Sequence, residues 1–182
     1  MLQLPKPSRH YLGAALLGLL LAGCGGDRQD SASLDPVTFR DGDGCHVCGM
    51  IIGEFPGPKG EAVSPGAVRK FCSTAELLGW WLQPENRRDD ARLYVHDMAH
   101  GDWSHPDDTH LIDATTAYYV VGIQRPGAMG ATLASFAEQA DAERLAHEEG
   151  GRVLRFAEID QGVLQGVGDD HAHRHGHAGK AP

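Results

Sequence analysis

An α+β fold is predicted, built from two similar ββαβ units in which helices pack on antiparallel sheets. Three observations predict it. Short alternating or β-branched runs recur through the chain, "AVRKFC" (67–72) and "ARLYVH" (91–96) among them. Two longer segments carry an apolar face at helical spacing. The order strand–strand–helix–strand reads twice.

In the first unit, placed at 45–100, Val47 to Phe55 is a short apolar segment closed by Pro56-Gly57-Pro58, and Ala67 to Cys72 is a strand. Ser73 or Thr74 caps a helix with Glu76 in its first turn and Leu77, Leu78, Trp81 and Leu82 on one face; Pro84 stops it. Ala91 to His96 alternates as a half-buried strand. In the second unit, placed at 101–160, Thr109 to Ala114 and Ala117 to Gly122 are strand-like. A long helix follows from Ala131 to Glu149, with Leu133, Phe136, Ala137, Ala140 and Leu145 as its face. Gly150-Gly151 ends it and Arg152 to Phe156 closes the unit.

The ends read differently. Lys6 and Arg9 precede an apolar run, Tyr11 to Gly23, which is short for a bilayer span and suited to a signal-peptide core. It ends in Leu21-Ala22-Gly23-Cys24, a bacterial lipobox, so residues 1–23 are expected to be removed and Cys24 lipidated, giving a membrane anchor. Gly25 is not the aspartate that in some bacteria marks inner-membrane retention; the expected location is therefore periplasm-facing, on the outer rather than the inner membrane. Residues 24–44, rich in Gly, Asp and Ser, read as a flexible tether. Residues 161–182 read as a disordered tail carrying His171, His173, His175 and His177, whose alternation suits loose binding of divalent metals.

Removing residues 1–23 takes away Lys6 and Arg9, so 14 Lys+Arg remain against 25 Asp+Glu, a net charge of −11. No nucleic-acid partner is expected of so acidic a chain. Three cysteines remain after Cys24: Cys45, Cys48 and Cys72. In an oxidising compartment an odd count leaves one thiol unpaired, or marks a set kept for a metal.

The stretch "DGCHVCGM" (43–50) concentrates the chemistry. A thioredoxin-type Cys-x-x-Cys precedes a helix, whereas Gly49, Gly53 and Pro56 follow here. Structural zinc needs a second pair of ligands; Cys72 is alone and His96/His100 is the nearest candidate. A plain Cys45–Cys48 disulfide closes too tight a loop to stabilise much. Met50 favours soft, monovalent copper, which prefers thiolate and thioether. In an extended strand Cys48 and Met50 point to one side. Met129, beside glycines in "RPGAMG", is not an obvious core residue and reads as a remote third ligand. The adjacent Trp80 and Trp81 cannot both face inward; core and near-surface packing is the simplest reading, with docking of a partner the alternative for one of them.

These features in order, the lipobox, "CHVCGM", "RKFCSTAELLGWW", "YVHDMAHGDW", "IDATTAYYV" and "GAMGATLASFAEQADAERLAHEEGGRVLRFAEI", resemble the NosL family of copper-binding lipoproteins, from Cys24 to about Ile159. The resemblance implies repeated ββαβ units related to a domain of organomercurial lyase. It implies Cu(I) as cargo, delivered toward the copper–sulfide site of nitrous-oxide reductase with that enzyme's maturation machinery as partner. Its Cys-Gly-Met element falls on Cys48, Gly49 and Met50; Cys45, His96 and Met129 are the further ligand candidates. No catalysis is expected. The alternative of another class is a thiol enzyme, either a disulfide oxidoreductase or a carbon–mercury lyase using Cys45, Cys48 and Asp97.

Overall fold

The computed structural model describes residues 33–87, 90–130 and 132–166. The lipidation candidate Cys24, the apolar leader and the four tail histidines lie outside them. The first sheet is antiparallel, in the order β2-β1-β3-β4, with β1 at Gly60–Ser64, β2 at Ala67–Phe71, β3 at Arg92–His96 and β4 at Leu111–Asp113. The second, β6-β5-β7, joins β5 (Tyr118–Val121), β6 (Ala134–Phe136) and β7 (Arg152–Arg155). Helix α1 (Thr74–Trp81) lies between β2 and β3 in sequence, and α2 (Gln139–Glu149) between β6 and β7. The mixed α+β class and the doubled ββαβ order are both present, as β1-β2-α1-β3 and β5-β6-α2-β7.

Three elements differ from expectation. The first strand is not in 47–55. That stretch is a turn closed by a Gly44–Ile51 bridge, followed by a 3-10 turn at Ile52–Glu54. The strand is Gly60–Ser64, hidden in the sequence because Glu61 interrupts its apolar character. Leu111–Asp113 does not open the second unit but pairs with β3, Tyr94 opposite Asp113 and His96 opposite Leu111. The helix expected from residue 131 starts at Gln139, because Ala134–Phe136 pairs with β5 as a fully buried strand. Good helix formers there yield to sheet pairing and burial, a tertiary override of local propensity. Ser135 secures the strand: its Oγ donates to the His96 carbonyl at 2.7 Å, and its own carbonyl accepts from the Met98 N–H at 2.9 Å.

The strands of β1 are covered on both faces. Gly60 and Ala62 face α1; a Cβ on Gly60 would come within 2.6 Å of Leu77 Cδ2, so only glycine admits the helix this closely. Glu61 faces the other way, under residues 34–39. The expected tether is therefore not free over its second half. The Leu34 carbonyl accepts from Tyr94 Oη (2.8 Å), the Val37 N–H donates to Glu61 Oε1 (2.6 Å), and Lys70 Nζ donates to the Thr38 carbonyl (2.7 Å). At the other end residues 161–166 are helical, and Val163 and Leu164 pack on the main core rather than belonging to a loose tail.

That core joins the two sheets. Phe71, Leu77, Leu78, Leu93 and Val95 from the first meet Tyr119, Val121, Leu133 and Leu154 from the second. Tyr119 is fully buried and donates its hydroxyl hydrogen to the Ala114 carbonyl at 2.6 Å. A smaller core sets Ala142, Leu145 and Ala146 of α2 on Val120, Ile123 and Phe136. Gly150 ends α2 in the left-handed region (φ 74°), as read from the sequence.

Candidate metal centre

Two local structures make the site. The first is the loop between Gly44 and Ile51. The Cys45 N–H donates to the Met50 carbonyl (2.8 Å), and the Gly49 N–H returns to the Cys45 carbonyl (2.9 Å). Gly49 has φ +74°, which a glycine adopts without strain. The loop is pinned to β2 by the His46 N–H, which donates to the Lys70 carbonyl at 2.8 Å. Cys48, Gly49 and Met50 are thus in a turn rather than a strand, and the same-side argument for Cys48 and Met50 does not hold.

The second is the junction where β2 ends and α1 begins. Cys72 is fully buried there. Ser73 caps the helix, its Oγ accepting from the Glu76 N–H at 3.1 Å. Ser73-Thr74-Ala75-Glu76 has the spacing of a capping box, but the Glu76 carboxylate turns toward the loop and accepts from Cys45 Sγ at 3.3 Å.

Together these bring Cys45, Cys48, Cys72 and Glu76 into one group, with one potential ligand atom from each within 4.8 Å of all the others. Cys48 Sγ and Cys72 Sγ are 3.6 Å apart. Met50 and Phe39 pack against the buried Cys45, Ile52 and Cys72. Burial pushes the Cys45 thiol up; the backbone N–H groups of Cys48, Cys72 and Val47, aimed at its sulfur, oppose that. Burial also pushes the Cys72 thiol up, reinforced by the thiols of Cys45 and Cys48 beside it. Three soft donors and one carboxylate, with Cys45 and Cys72 buried, form a set that can hold a metal ion.

The remaining sequence candidates are elsewhere. His96 is buried, its Nδ1 accepting from the Lys59 N–H (2.9 Å) and its Nε2 facing Asp108 Oδ1 (2.8 Å). With Nδ1 an acceptor, Nε2 carries the proton, so neither nitrogen has a lone pair to spare. Burial lowers its pKa against the pull of Asp108. His46, inside the motif, makes T-shaped contacts with Phe71 and Trp80, its ring centroid 5.9 Å from each of theirs. Met129 is 58% exposed. It lines a groove of about 500 Å³ with Val47, Trp80, Leu164 and Glu76, so the groove reaches the rim of the thiol cluster. Trp81 faces a different cavity, beside Leu78 and Phe156.

The family model for NosL matches residues 36–164, a span holding the loop, the β2–α1 junction and both sheets. The chain belongs to the NosL family. It is 62% identical over 175 residues to the copper-binding lipoprotein NosL of Stutzerimonas stutzeri, covering 93% of this chain and 92% of that one. It is 34% identical to the copper-binding lipoprotein NosL of Achromobacter cycloclastes, over 86% and 82%. The crystal structure of the copper chaperone NosL from Shewanella denitrificans superposes with a TM-score of 0.68 at 42% identity, over 71% of this chain and 98% of that one. These relatives are described as binding and carrier proteins, not as enzymes.

Within this family member, sequence reasoning missed Cys72 and Glu76. Cys72 stands 24 residues beyond Cys48 and has no ligand at a recognisable spacing. Glu76 carried the ordinary signature of a capped helix. The one available signal was the odd count of cysteines after Cys24.

Proposed function

We propose that this chain carries one Cu(I) ion as cargo at the Cys45–Cys48–Cys72 cluster. Glu76 and Met50 stand beside it as further donors, and Met129 serves as a handover thioether at the groove rim. The single observation that carries this is the convergence of three thiols at a pocket beside an exposed apolar groove, in a chain whose relatives are named for copper binding. Thiolates suit Cu(I) above other first-row ions. Cys45 and Cys72 are held protonated by burial, so uptake releases protons and affinity rises with pH. His96 is left out of the ligand set because its hydrogen bonds use both nitrogens.

The carrier is lipid-anchored through Cys24 and faces the periplasm, by the lipobox reading. It delivers copper for the copper–sulfide site of nitrous-oxide reductase, by the family resemblance. Release follows from ligand exchange: a partner's soft ligand enters through the groove, displaces the more accessible Cys48 first, and the buried sulfurs follow. Zinc is the second reading, favoured by the Glu76 carboxylate, which completes a four-donor set of a kind zinc accepts.

The test is anaerobic titration of the reduced protein with Cu(I) under a competing chelator, then with zinc as competitor. Single stoichiometry that weakens at least tenfold in Cys48→Ser and in Cys72→Ser, and more modestly in Met50→Leu, supports the site. Displacement of Cu(I) by equimolar zinc refutes the copper reading. Transfer from the loaded chain to copper-free nitrous-oxide reductase, slowed by Met129→Leu at unchanged affinity, tests the delivery step.

A further inference from the structure

We propose that Cys48 and Cys72 are a redox-modifiable pair, which small disulfides oxidise to a Cys48–Cys72 bond across the metal-free cluster. Sequence spacing singles out Cys45 and Cys48 as the pair to close, three residues apart. The fold does not. Cys45 Sγ donates to Glu76 and sits among the backbone amides of its own loop and of Cys72. The sulfur at 3.6 Å from Cys48 Sγ is that of Cys72, with Cys45 Sγ also inside 4.8 Å of both. Disulfide formation needs about 1.5 Å of approach, within the reach of a side-chain adjustment. The supporting backbone is already in register, because the His46 N–H bond to Lys70 ties the loop to β2 just before Cys72.

Access sets the order of events. Cys72 is fully buried, whereas Cys48 is only half-buried and is the residue of the pair open to solvent. Its thiolate attacks one sulfur of an external disulfide RSSR, forming a Cys48–SR mixed disulfide and releasing RS⁻. Cys72 Sγ then attacks Cys48 Sγ and expels the second RS⁻. The two thiol protons end on the two RSH; the protein loses two electrons and two hydrogens, and RSSR gains them. Closure withdraws two of three sulfurs from the cluster, so the oxidised and the metal-binding forms exclude each other, and an external dithiol reopens the site. Export to an oxidising compartment, read from the N-terminus, supplies the setting.

Peptide mapping tests this without any copper, so its failure is distinct from failure of the titration above. The reduced, metal-free full chain in detergent is incubated with oxidised glutathione, quenched with an alkylating agent and digested with trypsin. Cleavage after Arg40, Lys59, Lys70 and Arg87 puts Cys45 and Cys48 on the peptide 41–59 and Cys72 on 71–87. The expected product is a 41–59/71–87 cross-link, at least tenfold over the internally bridged 41–59 peptide. It persists in Cys45→Ser and is lost in Cys48→Ser. A predominant internal bridge, terminal glutathione adducts alone, or loss of the cross-link in Cys45→Ser overturns the proposal. The wild-type map needs no variant, so misfolding of a variant cannot mask the result.

Discussion

Glu61 offers the sharpest test of how the site is held. Its side chain is fully buried, Oε1 accepts from the Val37 N–H, and Oε2 has no partner among the described residues. Burial pushes its pKa up from 4.5 to about 7, against the Val37 hydrogen bond and the nearby Lys70. An acid whose folded pKa exceeds its unfolded one favours the folded state most at low pH. That stability is lost as pH rises from about 4.5 through 7, since the unfolded chain ionises first. The full span corresponds to about 3 kcal/mol, of which about 2–3 kcal/mol falls between pH 5 and 8. Glu61→Gln keeps an acceptor for Val37 and cannot ionise, so its stability lacks this loss. In urea or thermal denaturation of the reduced, metal-free protein, the variant should gain on wild type as pH rises. The gain should reach about 2–3 kcal/mol by pH 8, a shift on the order of 5–10 °C for a domain of this size. Because residues 34–44 run straight into the Cys45 loop, the same variant should tighten the loop at alkaline pH, seen as slower amide exchange in 37–48. Parallel pH profiles for variant and wild type would refute the burial argument.

Other expectations follow from the same geometry. His96→Gln should leave Cu(I) stoichiometry unchanged while lowering stability by about 2–3 kcal/mol in urea, since it disturbs one buried and one part-buried hydrogen bond; lost binding with intact circular dichroism would make His96 a ligand after all. Gly60→Ala drives a Cβ to 2.6 Å from Leu77 Cδ2, so it should cost about 1–3 kcal/mol by urea titration. It should also lower copper affinity, because α1 carries Glu76. Ser73→Ala removes the cap of that helix and should cost about 1 kcal/mol in thermal unfolding.

The local elements were the legible part. Alternation located β3, the capping pattern located α1, and Gly150 located the end of α2, because each depends on neighbours within one turn or one strand. Gly60–Ser64 and Ala134–Phe136 were not legible, since each is a strand only by virtue of what covers it. Residues 34–39 shield Glu61 from water, and β5 pairing overrides the helix-forming residues around Ser135.

The candidate site divides the same way. By itself the sequence determined that soft donors are concentrated at Cys45, Cys48 and Met50, that three cysteines follow Cys24, that the chain is acidic, and that Leu21-Ala22-Gly23-Cys24 resembles a lipobox. Only the tertiary structure decided which donors meet. A turn replaced the expected strand and separated the roles of Cys48 and Met50. Two hydrogen bonds engage both nitrogens of His96. The β2–α1 junction, 24 residues away, delivered Cys72 and Glu76 to the loop. The physical reason is that ligand type is a property of one residue, whereas a metal site is a distance between several. That distance is set by strand pairing and core packing, which sequence spacing does not encode.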